Sequence, residues 1–72
     1  MDKTLKMLVY VNNTPIELLV GMTVRHALIG AGLWTDKDHI LVLDQWGNEI
    51  GFDGSVHGGM LIKVLPRETK PN

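Results

Sequence analysis

The sequence predicts an α+β fold, a mixed sheet of four to five strands with one helix packed across it. Three observations predict it. An apolar, strand-like run from Leu5 to Val11 breaks at Asn12-Asn13-Thr14-Pro15 and is answered by a second run, Ile16 to Val20. Gly21-Met22-Thr23 then opens a helical pattern that ends at Gly32. Three shorter strand-like runs follow, separated by glycine-containing turns.

In the first strand the period-two rule puts Leu5, Met7, Val9 and Val11 on one face and Lys6, Leu8, Tyr10 and Asn12 on the other. The wholly apolar face is the expected core face. Asn12-Asn13 tolerates a left-handed backbone and Pro15 fixes its own φ, so the break has a mechanism. Ile16, Leu18 and Val20 then alternate with Glu17 and Leu19 and are expected to point inward. Thr23 suits a helix N-cap. Val24, Ala27, Leu28 and Ala31 follow at i, i+3, i+4 and i+7, one apolar stripe at helical spacing. Gly30 weakens that helix by about 1 kcal/mol against alanine, and Gly32 suits the left-handed C′ position. So short a helix persists only when packed on a sheet.

The stretch from Leu33 to His39 reads as a loop. Ile40 to Leu43, nearly all apolar, reads as a third strand in a central or covered position. A turn at Asp44-Gln45-Trp46-Gly47-Asn48 leads to a short strand, Glu49 to Phe52, and the last strand runs from Met60 to Leu65 before Pro66. A single domain over 1–66 with a flexible polar tail over 67–72 is expected.

The chain has 72 residues and no cysteine. Disulfides, thiolate metal ligands and cysteine nucleophiles are thereby excluded together. So short a chain buries only roughly 60 % of its unfolded surface, which makes marginal stability or reliance on a partner the expectation. Seven basic and eight acidic residues leave a net charge of −1, with the basic ones scattered. Clustered Lys and Arg are what nucleic acid requires, so no nucleic-acid partner is expected. The apolar run near the start is too short and too polar for a signal peptide or membrane span. A cytoplasmic protein with no membrane partner is the expectation.

Few residues invite a chemical reading. His39 stands beside Asp36 and Asp38, a grouping able to orient an imidazole or hold a metal weakly. Yet the positions of His26, His39 and His57 match no zinc template. Ser55 and His57 lack a third orienting group. The glycine-rich stretch from Gly54 to Gly59 lacks the strand–loop–helix setting and the lysine of a phosphate loop. No catalytic residue, cofactor or metal is expected, and the chain is not expected to be an enzyme.

Three stretches carry a family likeness. They are Val11-Asn12-Asn13-Thr14-Pro15-Ile16-Glu17, Gly21-Met22-Thr23-Val24 running into Ala27-Leu28, and Val56 with Gly58-Gly59 before Ile62 and Val64. In that order they resemble the β-grasp (ubiquitin-like) superfamily. The likeness is to the sulfur carriers of thiamine and molybdopterin biosynthesis and to the plant-type ferredoxin-like domain. It spans most of residues 5 to 65 and implies that the first and last strands lie side by side. It implies a binding or carrying role more than catalysis. The sequence departs from both branches. The carriers end in a Gly-Gly whose carboxylate is adenylated, whereas this chain ends Arg67-Glu68-Thr69-Lys70-Pro71-Asn72. The ferredoxin-like branch needs cluster cysteines in the loop after the helix, and this loop has none.

An apolar strip remains on the sheet face away from the helix: Leu8, Tyr10, Leu19 and either Leu41 or Leu43. With Trp34 and Trp46 near loop ends, the candidate interaction surface is Leu8, Tyr10, Leu19, Trp34 and Trp46. The competing reading is that both indoles plug a small core. The expected function is a non-catalytic interaction or accessory module that binds a protein partner or itself. The alternative is a degenerate sulfur-carrier-like protein docking on an adenylating enzyme or synthase subunit.

Overall fold

The computed structural model describes residues 5–35 and 38–67. Strands β1 (Lys6–Val11) and β2 (Thr14–Leu19) form an antiparallel hairpin closed by Asn12 and Asn13 alone. Both asparagines have positive φ, 50° and 70°, the double left-handed geometry whose twist matches the flanking strands. Because the turn takes only two residues, β2 starts two positions before the expected Ile16 and includes Pro15. The register explains the tolerance. Pro15 pairs with Tyr10, whose own N–H turns the other way, to Met60 O at 2.9 Å. The proline nitrogen therefore faces away from β1 on an edge strand, where a missing N–H breaks no ladder bond.

Helix α1 (Val24–Gly30) follows a turn in which Gly21 has φ +102°. Its N-terminal amides are accounted for one by one. Val24 N donates to Gly54 O at 3.1 Å and Arg25 N to Phe52 O at 2.9 Å. His26 N and Ala27 N donate to Thr23 O. The Thr23 N–H donates to His26 Nδ1 at 3.0 Å, so the N-cap amide is held by a side chain of its own first turn. At the other end Gly32 has φ +73°, with Gly32 N donating to Ile29 O and Leu33 N to Leu28 O. That is the pair of bonds of a Schellman cap, placed on the glycine the sequence marked. Gly30 turns out to mark a close approach. A Cβ there would meet Ile16 Cγ2 at 3.1 Å, so the glycine lets the helix lie down on β2.

Strand β3 (Ile40–Leu43) pairs antiparallel with β4 (Leu61–Pro66). The latter lies parallel to β1, with Tyr10 opposite Leu61 and Val11 opposite Ile62. The sheet order is β2-β1-β4-β3. Over the described residues the fold is thus α+β, one helix with a four-stranded mixed sheet, and the first and last of these strands are neighbours. No fifth strand forms over 49–52. Only a bridge between Leu43 and Glu49 forms there, flanked by Asp44 N to Asn48 O and Ile50 N to Val42 O. Further pairing is lost to competition, since the carbonyls of Phe52 and Gly54 are used by the helix N-terminus instead.

Alternation along each strand sends one set of side chains under the helix. Val9, Val11, Val24, Ala27 and Leu28 are essentially inaccessible and meet Leu18, Val42 and Ile62 in the core. Leu5 and Val20, expected inside, are exposed instead. Both lie just past the ladder, which ends at the Lys6–Leu19 pair and is closed by Val20 N donating to Leu5 O. Among the described residues no polar or charged side chain is buried. Among the described residues no helix is long and apolar enough to cross a membrane. Arg67, expected in the tail, is held by Arg67 N to His39 O, Arg67 Nε to Ile40 O and a 2.6 Å ion pair with Glu49. The remainder of the expected tail lies outside the described residues.

Candidate functional site: the uncovered sheet face

The face of the sheet away from α1 follows from the register. Leu8 and Tyr10 of β1 lie beside Glu17 and Pro15 of β2, and Lys6 beside Leu19. Tyr10 also neighbours Leu61 of β4, which puts Lys63 and Leu65 on the same face. These in turn sit opposite Leu43 and Leu41 of β3. The result is a diagonal apolar strip bearing three charges, Lys6, Glu17 and Lys63. Leu8 at 42 % and Leu61 at 48 % accessibility are its most open members, and Tyr10, Leu41 and Leu43 are half-buried. Both Leu41 and Leu43 belong to it, where the sequence suggested one or the other.

A groove of about 440 Å³ runs through this face. Its floor is the start of β4, Leu61 to Lys63; Tyr10 and the hairpin turn form one wall, Leu43 to Gln45 the other. The groove has a backbone cause. β1 turns away at Asn12 while β4 continues, leaving Val64 without a strand on that side. The Asn12 carboxamide takes the vacant place: Val64 N donates to Asn12 Oδ1 at 2.9 Å, and Asn12 Nδ2 donates to Val64 O at 3.2 Å. One side chain thus imitates a peptide group and carries the ladder one step past the end of β1.

The two tryptophans do not share this face in the same way. Trp46 sits in the turn after β3, where Trp46 N and Asn48 N both donate to Asp44 Oδ1 at 2.9 Å. Its neighbours Gln45 and Gly47 line the groove, and its own side chain is 72 % accessible. Trp34 lies on the helix side. Its ring meets Phe52 edge-on at 4.9 Å, and the Arg25 guanidinium stands 5.4 Å from its centroid while pairing with Asp53 at 3.0 Å. Of the five residues grouped from sequence, Leu8, Tyr10 and Leu19 share a face, Trp46 borders the groove, and Trp34 is separate. Neither indole is buried.

The sequence reading missed Leu61, Lys63 and Leu65. The signal was present: in the nearly all-apolar run Met60 to Leu65, Lys63 alone reveals which parity faces water, and Leu61 and Leu65 share it.

The histidines have other occupations. His26 caps the helix, which requires its proton on Nε2. His39 and His57 are exposed, with their carbonyls accepting from Arg67 N and Met60 N. Asp36 lies outside the described residues, so its grouping with His39 and Asp38 does too; among the described residues no cluster with metal-ligand character forms. Ser55 is engaged through its backbone bridge to Thr23. Gly59, at φ +85°, reverses the chain into β4 while its N–H donates to Leu8 O at 2.7 Å.

In comparisons with known proteins, no family model matches this sequence. No curated protein matches it either.

Proposed function

We propose that the chain is a non-catalytic β-grasp interaction module that binds a protein through the sheet face opposite its helix. One observation carries this reading: a contiguous leucine and tyrosine strip beside a groove, left open on a chain too small to spare apolar area. Burying such a strip under a partner recovers roughly 25 cal/mol per Å² of apolar surface. Charged residues set around an apolar centre are the usual anatomy of a protein-binding patch. Strand order and the parallel central pair support the β-grasp assignment.

The test is site-specific photocrosslinking in the cells that make the chain. A benzophenone amino acid is placed at Leu8 or Leu61, and at Ile29 on the exposed side of the helix as control. Protein adducts from both sheet positions and none from Ile29 are expected. No adduct from the sheet positions, or equal adducts from all three, overturns the proposal.

A second reading, a degenerate sulfur-carrier relative, is favoured by the same strand order. It predicts a complex with an adenylating enzyme. Failure to co-purify with any adenylating enzyme or synthase subunit removes it.

A further inference from the structure

We infer that the outer sheet face binds a second copy of this chain, related by a two-fold axis passing beside Tyr10. The inference rests on the reading of that face as an interaction surface and goes further by naming its occupant. What singles out a second copy is the placement of charge. On this face Glu17 is the one acidic strand residue, and it sits opposite Leu8, one side-chain row before Tyr10 and one strand toward β2. Lys63 lies one row beyond Leu61, the neighbour of Tyr10, and one strand toward β3. With strands about 4.8 Å apart and rows about 6.8 Å apart, each charge stands roughly 8 Å from Tyr10, in opposite diagonal directions.

A two-fold axis lying in the plane of the face, through Tyr10 and perpendicular to the Glu17–Lys63 line, exchanges these positions. Glu17 of each copy then meets Lys63 of the other. The same operation lays Leu8 against the region of Leu61 and Leu19 against that of Leu43. Leucine meets leucine and acid meets base, twice over, as an isologous interface demands, while Lys6, the third charge of the face, falls at the rim just outside the other copy's β3. A face of one sign would repel its own copy. Here the groove beside Lys63 opens where the partner's Glu17 arrives. The strands of the two sheets cross steeply, the orthogonal form of sheet packing.

Size sets the strength. Four short strands present a footprint of roughly 400 Å², well below the ~800 Å² per partner of a standard stable interface. The dimer is therefore weak and exchanges readily.

Sedimentation equilibrium of the full chain over a concentration series tests this, with three variants. Wild type is expected to dimerise. Glu17→Lys and Lys63→Glu are each expected to weaken association about tenfold, since symmetry makes one substitution reverse two contacts. The combined swap, E17K with K63E, is expected to return affinity to within about threefold of wild type. A general loss of folding does not produce that recovery. A wild-type chain that stays monomeric at millimolar concentration overturns the inference. So does dimerisation that neither reversal weakens, or that the swap fails to rescue. Crosslinks from Leu8 and Leu61 to a different protein, with the chain itself monomeric, overturn self-pairing while leaving the interaction-module reading intact.

Discussion

Replacing Asn12 probes the device that joins the hairpin to the last strand. Two contributions meet at this residue. Its φ of 50° puts the backbone in the left-handed region, where alanine costs roughly 1–2 kcal/mol and glycine nothing. Its carboxamide makes two hydrogen bonds to Val64, at 2.9 and 3.2 Å. Each is worth about 0.5–1.5 kcal/mol, taken at the lower end because water reaches the site. Asn12→Gly keeps the backbone relaxed and removes only the bonds, so a loss of about 1 kcal/mol is expected. Asn12→Ala adds the backbone cost and is expected to lose about 2–3 kcal/mol. Asn12→Asp retains the acceptor for Val64 N but faces Val64 O with a second acceptor, and should fall between them. Asn13 has the same backbone sign, φ 70°, and no side-chain bond to β4, so Asn13→Gly should be neutral or slightly stabilising. Urea unfolding followed by tryptophan fluorescence reads all four, with slopes compared to confirm a common transition. If Asn12→Gly proves as stable as wild type, the carboxamide does not hold β4 and the reasoning fails.

Three further outcomes follow from the packing. Gly30→Ala should change stability by less than about 0.5 kcal/mol, because about 1 kcal/mol of helix propensity is offset by the Cβ approach to Ile16 Cγ2. Adding Ile16→Leu, which removes the Cγ2 methyl, should release part of that gain, measured by a double-mutant cycle in urea. Trp34→Leu should cost about 1 kcal/mol through the lost edge contact with Phe52 and the Arg25 cation, whereas Trp46→Ala should leave stability within about 0.5 kcal/mol. The same pair of variants should assign the redder emission to Trp46. His26→Ala should loosen the first helical turn by about 0.5–1 kcal/mol, seen as faster amide exchange from Val24 to Ala27, with His26→Gln recovering part of it.

What was legible in the sequence was whatever neighbouring residues settle among themselves. Paired asparagines closed the hairpin because two consecutive left-handed residues suit few other side chains. Thr23 and Gly32 bounded the helix because caps are satisfied within one turn, and the inner face of β1 followed from parity alone. Errors began where a residue's fate depended on distant chain. Leu5 and Val20 had the right parity for the core, but the ladder stops before it covers them. The segment at 49–52 had strand composition, yet the Phe52 carbonyl went to a helix amide brought close only by the fold.

By itself, then, the sequence determined turns, caps, strand faces and the absence of thiol chemistry, since these rest on backbone preference and side-chain type over a few residues. Only the tertiary structure decided that Tyr10 stands beside Leu61, that Lys63 and Glu17 flank it from opposite diagonals, and that the indoles part company. Those outcomes depend on register between segments some fifty residues apart, where many pairings satisfy the same local pattern and joint packing of helix and sheet selects one.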